Sequence, residues 1–388
     1  MYCHHCGEKV NYETDNFCQA CGTPLEKAAV EAIIKETIST EPNDNSKHIH
    51  EHASRNFSEA MRSNFNKATV RVNQYVGKKG EIKLNVIEVF SEVFEKHSKK
   101  EAEMVFAAGT PATTPKLCDI QATWPKPWLF ARVFLVFALT YILLYIAINS
   151  FQNPNALPGL IVVGSFAGPF ALLIFFWEMN APQNISIYET AKLFFVGGAA
   201  SIVAALLLYS IFPVEELNVV GAIMVGIIEE VGKLAIIAYF IKQLNPKYIL
   251  NGLLIGAAIG AGFAGFESAG YAFRFMYEEG LDSMLEIIFA RGWQSTGGHV
   301  AWSAIAGAAL MYAKQDAELH ADHFFSSKFL KFFIISVALH AVWDMVGYPA
   351  FVLVLIALAW FFIYIMINAG LKQIIRMHDE EEQKQQVD

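Results

Sequence analysis

One stretch decides what kind of fold this chain adopts: residues 217–241 read LNVVGAIMVGIIEEVGKLAIIAYFI. The run is long and apolar enough to cross a bilayer, yet Glu229, Glu230 and Lys233 lie within it. An ionised side chain at the centre of a membrane helix costs about 3 kcal/mol on insertion scales, so charges that persist there are typically functional. The sequence therefore predicts a membrane-spanning helix that carries part of a functional site.

The composition indicates a membrane protein with a soluble N-terminal part. Of the 388 residues, 54% are hydrophobic, and most of that hydrophobicity follows Trp124. The net charge of -8 is spread over the polar segments without a sustained basic block, so nucleic acid is not an expected partner. The first residues are polar and cysteine-rich rather than apolar, which argues against a signal peptide and predicts a cytoplasmic N-terminus.

After Trp124, about eight apolar runs have the length of membrane spans. They cover 128–148, 158–177, 191–212, 217–241, 249–273, 296–313, 329–347 and 350–369. An even number places both termini on one side, and the lysines of the loops that would then face inward favour a cytoplasmic side. Arg274 and Arg291 fall in an outer loop that also carries acidic residues. We expect an all-α fold: a polytopic, multi-pass helix bundle in the cell membrane, in contact with lipid.

Composition divides the chain into four segments. We predict a zinc ribbon at 1–25, a flexible tether with amphipathic helices at 26–124, a transmembrane domain at 125–371 and a charged cytoplasmic tail at 372–388. The tether prediction rests on a charged, Asn/Ser-rich composition, and the helix prediction rests on an apolar residue at every third or fourth position. The linker ahead of the membrane domain is therefore expected to be charged and partly helical.

Four of the five cysteines form two short motifs near the N-terminus. Cys3 and Cys6 form the first CxxC, Cys18 and Cys21 form the second, and a glycine follows each pair. Zinc takes four thiolates in a tetrahedron, and two such turns present them from opposite sides of a small ribbon. Two disulfides would need an oxidising compartment, and metal-free redox thiols are the other alternative. We expect a structural zinc, in a ribbon that is a candidate for binding a cytoplasmic protein.

Further ionisable residues lie in three other predicted helices. Glu267 lies in the fifth, His299 opens the sixth, and His340 and Asp344 share one face of the seventh. A carboxylate four residues from a histidine can orient the imidazole and set its tautomer. When positions are counted from the predicted helix ends, these residues fall in the outer half of the bilayer, and so do Glu229, Glu230 and Lys233. A water-filled cavity that opens outward would explain them together.

These residue types suit the activation of a water molecule. Lys233 lies within one turn of both Glu229 and Glu230, so it can neutralise one and leave the other as a general base. The two histidines either bind a metal that activates water or hold the water for a glutamate base. The chain contains no HExxH and no GxSxG motif, so neither a conventional zincin site nor a serine-hydrolase elbow is expected.

The ordered motifs resemble those of the PrsW family of intramembrane proteases, a distant relative of the CAAX prenyl endopeptidases. They are Glu229-Glu230-Val-Gly-Lys233, Phe263-Ala-Gly-Phe-Glu267, His299 after a glycine pair, and His340-Ala-Val-Trp-Asp344. The N-terminal CxxC pair is similar to a small bacterial zinc ribbon. The resemblance covers about 128–370 and implies a membrane peptidase that cuts a membrane-anchored protein, with anti-sigma factors as one substrate type. The CAAX relatives carry EExxxR and FxxxH, whereas this chain has a lysine one position earlier and a glutamate in place of the histidine, so metal dependence stays open.

The leading prediction is thus an intramembrane endopeptidase that acts near the outer membrane face. Its predicted catalytic residues are Glu229, Glu230, Lys233, Glu267, His299, His340 and Asp344. An ion- or proton-coupled transporter is one alternative, and its polar residues should reach both membrane halves. A non-enzymatic membrane scaffold that uses the ribbon as an interaction module is another, and it should tolerate replacement of either glutamate in the pair.

Overall fold

The computed structural model describes residues 86–345 and 349–385, so the predicted ribbon and most of the predicted tether lie outside the described residues. Within these ranges the chain is helical and has no strand, which confirms the all-α prediction. The helices of nine or more residues are α1 Lys99–Ala107, α2 Leu129–Asn149, α3 Leu157–Glu178, α4 Ile187–Ile211, α5 Val219–Leu244, α6 Ile249–Glu278, α7 Leu281–Gln294, α8 His299–Lys314, α9 Ser327–Met345 and α10 Pro349–Gln385. Shorter helices are Val86–Val89, Ser91–Phe94, Leu117–Asp119, Pro154–Ala156 and Asp322–Phe325, and α4 includes a π-helical turn at Leu193–Gly197.

Each apolar run predicted as a membrane span coincides with a helix, from α2 to α6 and from α8 to α10. In the part of the chain that the structure describes, five helices are long and apolar enough to cross a membrane: α2, α3, α4, α6 and α10. The helix α5 carries three charged residues near its middle, and α8 has only 16 residues. The prediction of a polytopic membrane bundle is therefore confirmed, while the number of eight spans stays a prediction.

The helix α6 lies at the centre of the bundle, where glycines let its neighbours approach closely. A Cβ at Gly256 would overlap the carbonyl oxygen of Ser303 on α8, and one at Gly262 would overlap that of Phe194 on α4. Only a residue without a side chain permits backbones to come this close. The packing of α8 and α4 against α6 brings residues from all three helices to one interior site.

The first turn of α2 is fixed by residues distant in sequence. Glu178, at the end of α3, accepts hydrogen bonds from the backbone N–H groups of Trp128, Leu129 and Phe130, each over 2.9 Å. A carboxylate at a helix N-terminus satisfies donors that have no partner within the helix. The His97 ring stacks on Trp128 with centroids 3.8 Å apart, so the described end of the linker packs on the same turn.

The C-terminal segment continues the last helix. The charged tail predicted from residue 372 is helical as far as Gln385 because α10 runs on without a break. The His378 imidazole donates a hydrogen bond to the carbonyl oxygen of Leu117 over 2.6 Å. His378 therefore lies next to the linker that precedes the membrane domain.

Candidate active site

The helix α5 places its three charged residues in the interior of the bundle. Glu229, Glu230 and Lys233 are 7%, 1% and 0% exposed. The Lys233 Nζ lies 2.6 Å from Glu230 Oε1 but 3.9 Å from Glu229 Oε2. The lysine is therefore paired chiefly with Glu230, and Glu229 is the carboxylate left available for other chemistry.

Glu230 also orients a histidine of α9. The Nδ1 of His340 lies 2.9 Å from Glu230 Oε1, and its Nε2 lies 3.7 Å from Glu229 Oε2. When a carboxylate accepts the proton of one ring nitrogen, the other nitrogen is left free to bind a metal or accept a proton. Asp344, predicted to orient this ring, lies farther away, with Oδ2 3.6 Å from Nε2. In the structure, Glu230 rather than Asp344 therefore makes the closest contact that orients the His340 ring.

His299 approaches Glu229 from the start of α8. Its Nδ1 lies 2.8 Å from Lys233 Nζ and 3.9 Å from Glu229 Oε2. Its Nε2 lies 3.0 Å from Glu267 Oε2. Because an ammonium group can only donate, Nδ1 accepts from Lys233 and Nε2 carries the proton directed at Glu267. Each histidine of the site therefore has a carboxylate at its far ring nitrogen.

Three side chains converge in a way that suits a metal ion. Glu229, His299 and His340 each offer one ligand atom, and these atoms lie within 4.8 Å of one another. Donor atoms around a tetrahedral zinc ion stand about 3.4 Å apart, close to the 3.7 and 3.9 Å that separate Glu229 Oε2 from the two histidines. This Oε2 is buried and has no hydrogen-bond partner among the described residues, which is costly for a carboxylate. Two imidazoles and a carboxylate are a donor set of catalytic zinc sites.

Two residues that the sequence did not predict to be catalytic join the site. The Tyr209 hydroxyl, on α4, donates to Glu229 Oε1 over 3.0 Å. Arg291, on α7, forms an ion pair with Glu267 and donates from Nε to Ser268 Oγ over 2.8 Å. A tyrosine near a predicted helix end is ordinary in membrane proteins and gave no signal. Arg291 directly follows the apolar run 287–290. A charged residue at the end of such a run is the sequence signal that could have identified it.

The space beside His299 is small. A cavity of about 40 Å³ is lined by Ala264, Ser268, Arg291, Gln294, Ser295, Gly298, His299, Trp302 and Trp343. A cavity of this kind needs about 10 to 15 Å³ to hold one water molecule, so this cavity has room for only a few. The Trp302 ring closes one side by stacking on His340, with centroids 4.4 Å apart. This cavity can hold water but not a peptide.

The structure brings together all seven residues predicted to be catalytic, through the contacts described above. A model of the PrsW family of intramembrane metalloproteases matches residues 187–368, a region that runs from the start of α4 into α10 and contains every one of them. No curated protein and no solved structure matches the chain. On this match, and on the ordered motifs that fall within it, residues 187–368 are similar to the PrsW family of intramembrane metalloproteases, and the protein is a membrane protease.

Proposed function

We propose that this protein hydrolyses a peptide bond of a membrane-anchored protein at the centre formed by Glu229, His299 and His340. The observation that carries the proposal is the buried Oε2 of Glu229, which has no hydrogen-bond partner among the described residues and lies 3.7 Å from His340 Nε2 and 3.9 Å from His299 Nδ1. An anti-sigma-factor-like protein is the substrate type that the family resemblance suggests. The work of such a centre is to hold a water molecule and raise its reactivity toward a carbonyl carbon.

The three donors would hold one divalent ion, which supplies Lewis-acid activation of water and of the substrate carbonyl when it is bound. Glu230 holds His340 by its Nδ1, and Glu267 holds His299 by its Nε2. Such outer carboxylates fix ring orientation and raise the basicity of the ligating nitrogen. Lys233 donates to His299 Nδ1 in this structure, so a metal at this nitrogen would free one N–H of the lysine while its contact with Glu230 remains.

We assign the transfer of the proton to Asp344. Its Oδ2 is buried, has no hydrogen-bond partner among the described residues, and lies 3.6 Å from His340 Nε2. A carboxylate at this place accepts the proton of the attacking water and returns it to the leaving amine. The buried ammonium of Lys233 and the Tyr209 hydroxyl stabilise the negative charge that develops on the carbonyl oxygen.

We also propose that both termini lie in the cytoplasm and that Cys3, Cys6, Cys18 and Cys21 bind a structural zinc. The lysine distribution among the loops supports the orientation, and the two CxxC pairs support the metal. These cysteines lie outside the described residues. The ribbon they would form suits a cytoplasmic protein partner.

The test compares newly formed protein N-termini in membranes of cells that express the wild type, Glu229→Gln or Glu286→Gln. Glu286 is an exposed glutamate on α7 and serves as the matched control. We expect at least one membrane protein to be cut with the wild type and the control, and left intact with Glu229→Gln at equal abundance. Cleavage that persists with Glu229→Gln would remove this residue from the reaction.

A further inference from the structure

An apolar groove runs along the outside of the bundle between α2, α3 and α7. Its volume is about 690 Å³, and its lining extends along α2 from Phe130 to Ile142. Twelve residues of helix correspond to about 18 Å, so the groove is elongated. Phe134 and Phe289, at its rim, are 50% and 72% exposed. We call this surface the lateral groove.

The lateral groove and the small cavity beside His299 share one wall. Residues Gly292, Trp293 and Thr296, near the end of α7, line the groove. Their neighbours Arg291, Gln294 and Ser295 line the small cavity beside His299. The end of α7 therefore separates a partly exposed apolar surface from the space next to His299.

We propose that the lateral groove binds the transmembrane helix of the substrate and delivers the adjoining peptide to the cavity beside His299. The inference rests on the proposed proteolytic function and adds the substrate's binding surface. Over the 18 Å of the groove, a helix about 10 Å across occupies about 1,400 Å³, so a groove of about 690 Å³ would receive about half of the helix's width. The cavity beside His299 has room for only a few water molecules, so we expect the peptide to enter it from a neighbouring surface.

The lining favours a helix over a lipid chain as the occupant. Helices in membranes associate through small residues that let backbones approach, and Ala131, Ala138, Ala167 and Gly292 line the groove. A Cβ at Gly292 would meet no heavy atom within 4 Å among the described residues, so this glycine leaves the surface open. The space beside Gly168, by contrast, is already occupied, because a Cβ there would overlap Ser295 Oγ. The end of α7 is thus fixed against α3 while its outer side stays free for a partner.

The test uses the full chain in lipid vesicles and a synthetic helix of about 20 leucine and alanine residues that carries a photoactivatable leucine at its midpoint. Gly292→Leu fills the groove without a clash, and Gly270→Leu is the matched control on an exposed face of α6, where a Cβ also meets nothing within 4 Å. We expect the wild type to be labelled chiefly at groove residues such as Phe134, Phe289 and Trp293. Labelling should fall at least tenfold in Gly292→Leu and stay unchanged in Gly270→Leu.

Two outcomes would overturn the proposal. Labelling spread over all lipid-facing helices and insensitive to Gly292→Leu would show that the groove does not select the helix. Labelling of the groove by a photoactivatable phospholipid that excess helix does not displace would show that it holds lipid. The readout is binding, so it is separate from the proteolysis test. If no Glu229-dependent fragment were found, the labelling result would still hold. If labelling failed, the cleavage result would still hold.

Discussion

The helices α2 and α6 are both apolar enough to span a membrane, yet they occupy opposite environments. In their most apolar windows the mean hydropathy is 2.3 for α2 and 1.8 for α6, while 6% of the α2 window and 94% of the α6 window is buried inside the protein. Lipid is as apolar as leucine, so hydrophobicity does not draw one membrane helix to the centre of a bundle. The glycine and alanine residues of α6 place it at the centre, because they allow α8 and α4 to pack closely against it.

The two helices therefore have different roles. The central α6 carries Glu267 to His299 and is held by contacts that leave no space for larger side chains. The peripheral α2 leaves one side open, and that side forms a wall of the lateral groove. Changes around α6 should therefore affect folding and chemistry strongly, whereas changes around α2 should have small and local effects.

The largest effect, because it removes the folded protein and every activity with it, is expected when a side chain is added where α6 meets α8. Gly256→Leu would drive a side chain into the backbone at Ser303, and overpacking of this kind costs about 3 kcal/mol or more where backbone cannot move. The amount of folded protein recovered from membranes should fall at least tenfold. Gly270→Leu, on an open face of the same helix, should be recovered as well as the wild type; equal recovery of both variants would contradict the packing account.

A large effect confined to chemistry is expected at Asp344. Asp344→Asn removes the assigned proton acceptor but none of the three proposed metal ligands, so cleavage should slow by about 10² to 10⁴ while metal content and abundance stay unchanged. The measurement is the cleavage rate of a membrane substrate identified with the wild type, together with metal per chain. Loss of metal along with activity would instead make Asp344 a ligand.

An intermediate effect is expected at Arg291. Arg291→Gln removes the ion pair that holds Glu267 against His299, and the loss of such an outer partner lowers metal affinity or activity by about 10- to 100-fold. Arg274→Gln is the matched control, because Arg274 forms an exposed pair with Glu278 that contributes little. A titration of metal binding by calorimetry distinguishes the two variants, and equal affinities would show that the Arg291 contact is only structural.

The smallest effect is expected at the first turn of α2. Glu178→Ala removes the acceptor of three backbone N–H groups, a loss comparable to that of a helix cap, at about 1 to 2 kcal/mol. Amide hydrogen exchange at residues 128–130 should quicken about tenfold, while exchange in α6 stays the same. Faster exchange throughout α6 would show that the two helices are not energetically separate.

Hydropathy and motif spacing predicted much of this molecule. The positions of the helices follow from apolar runs, and the polar residues inside those runs mark the site because membrane burial makes them costly. The contacts between helices could not be predicted in the same way. Glu229 and Glu230 are adjacent, and the sequence does not say which one faces Lys233 and His340, since that depends on how α5 is rotated against α8 and α9. Tyr209 joins the site only because α4 packs beside α5.

The metal content of the membrane site tests the central claim most directly. The full chain with Cys3, Cys6, Cys18 and Cys21 replaced by serine removes the metal that the N-terminal motifs would bind. We predict about one equivalent of a divalent metal per chain by mass spectrometry, and a loss of at least tenfold in both Glu229→Gln and His340→Ala. Metal content that is unchanged in both variants, or full proteolytic activity in a chain shown to be metal-free, would contradict the centre formed by Glu229, His299 and His340.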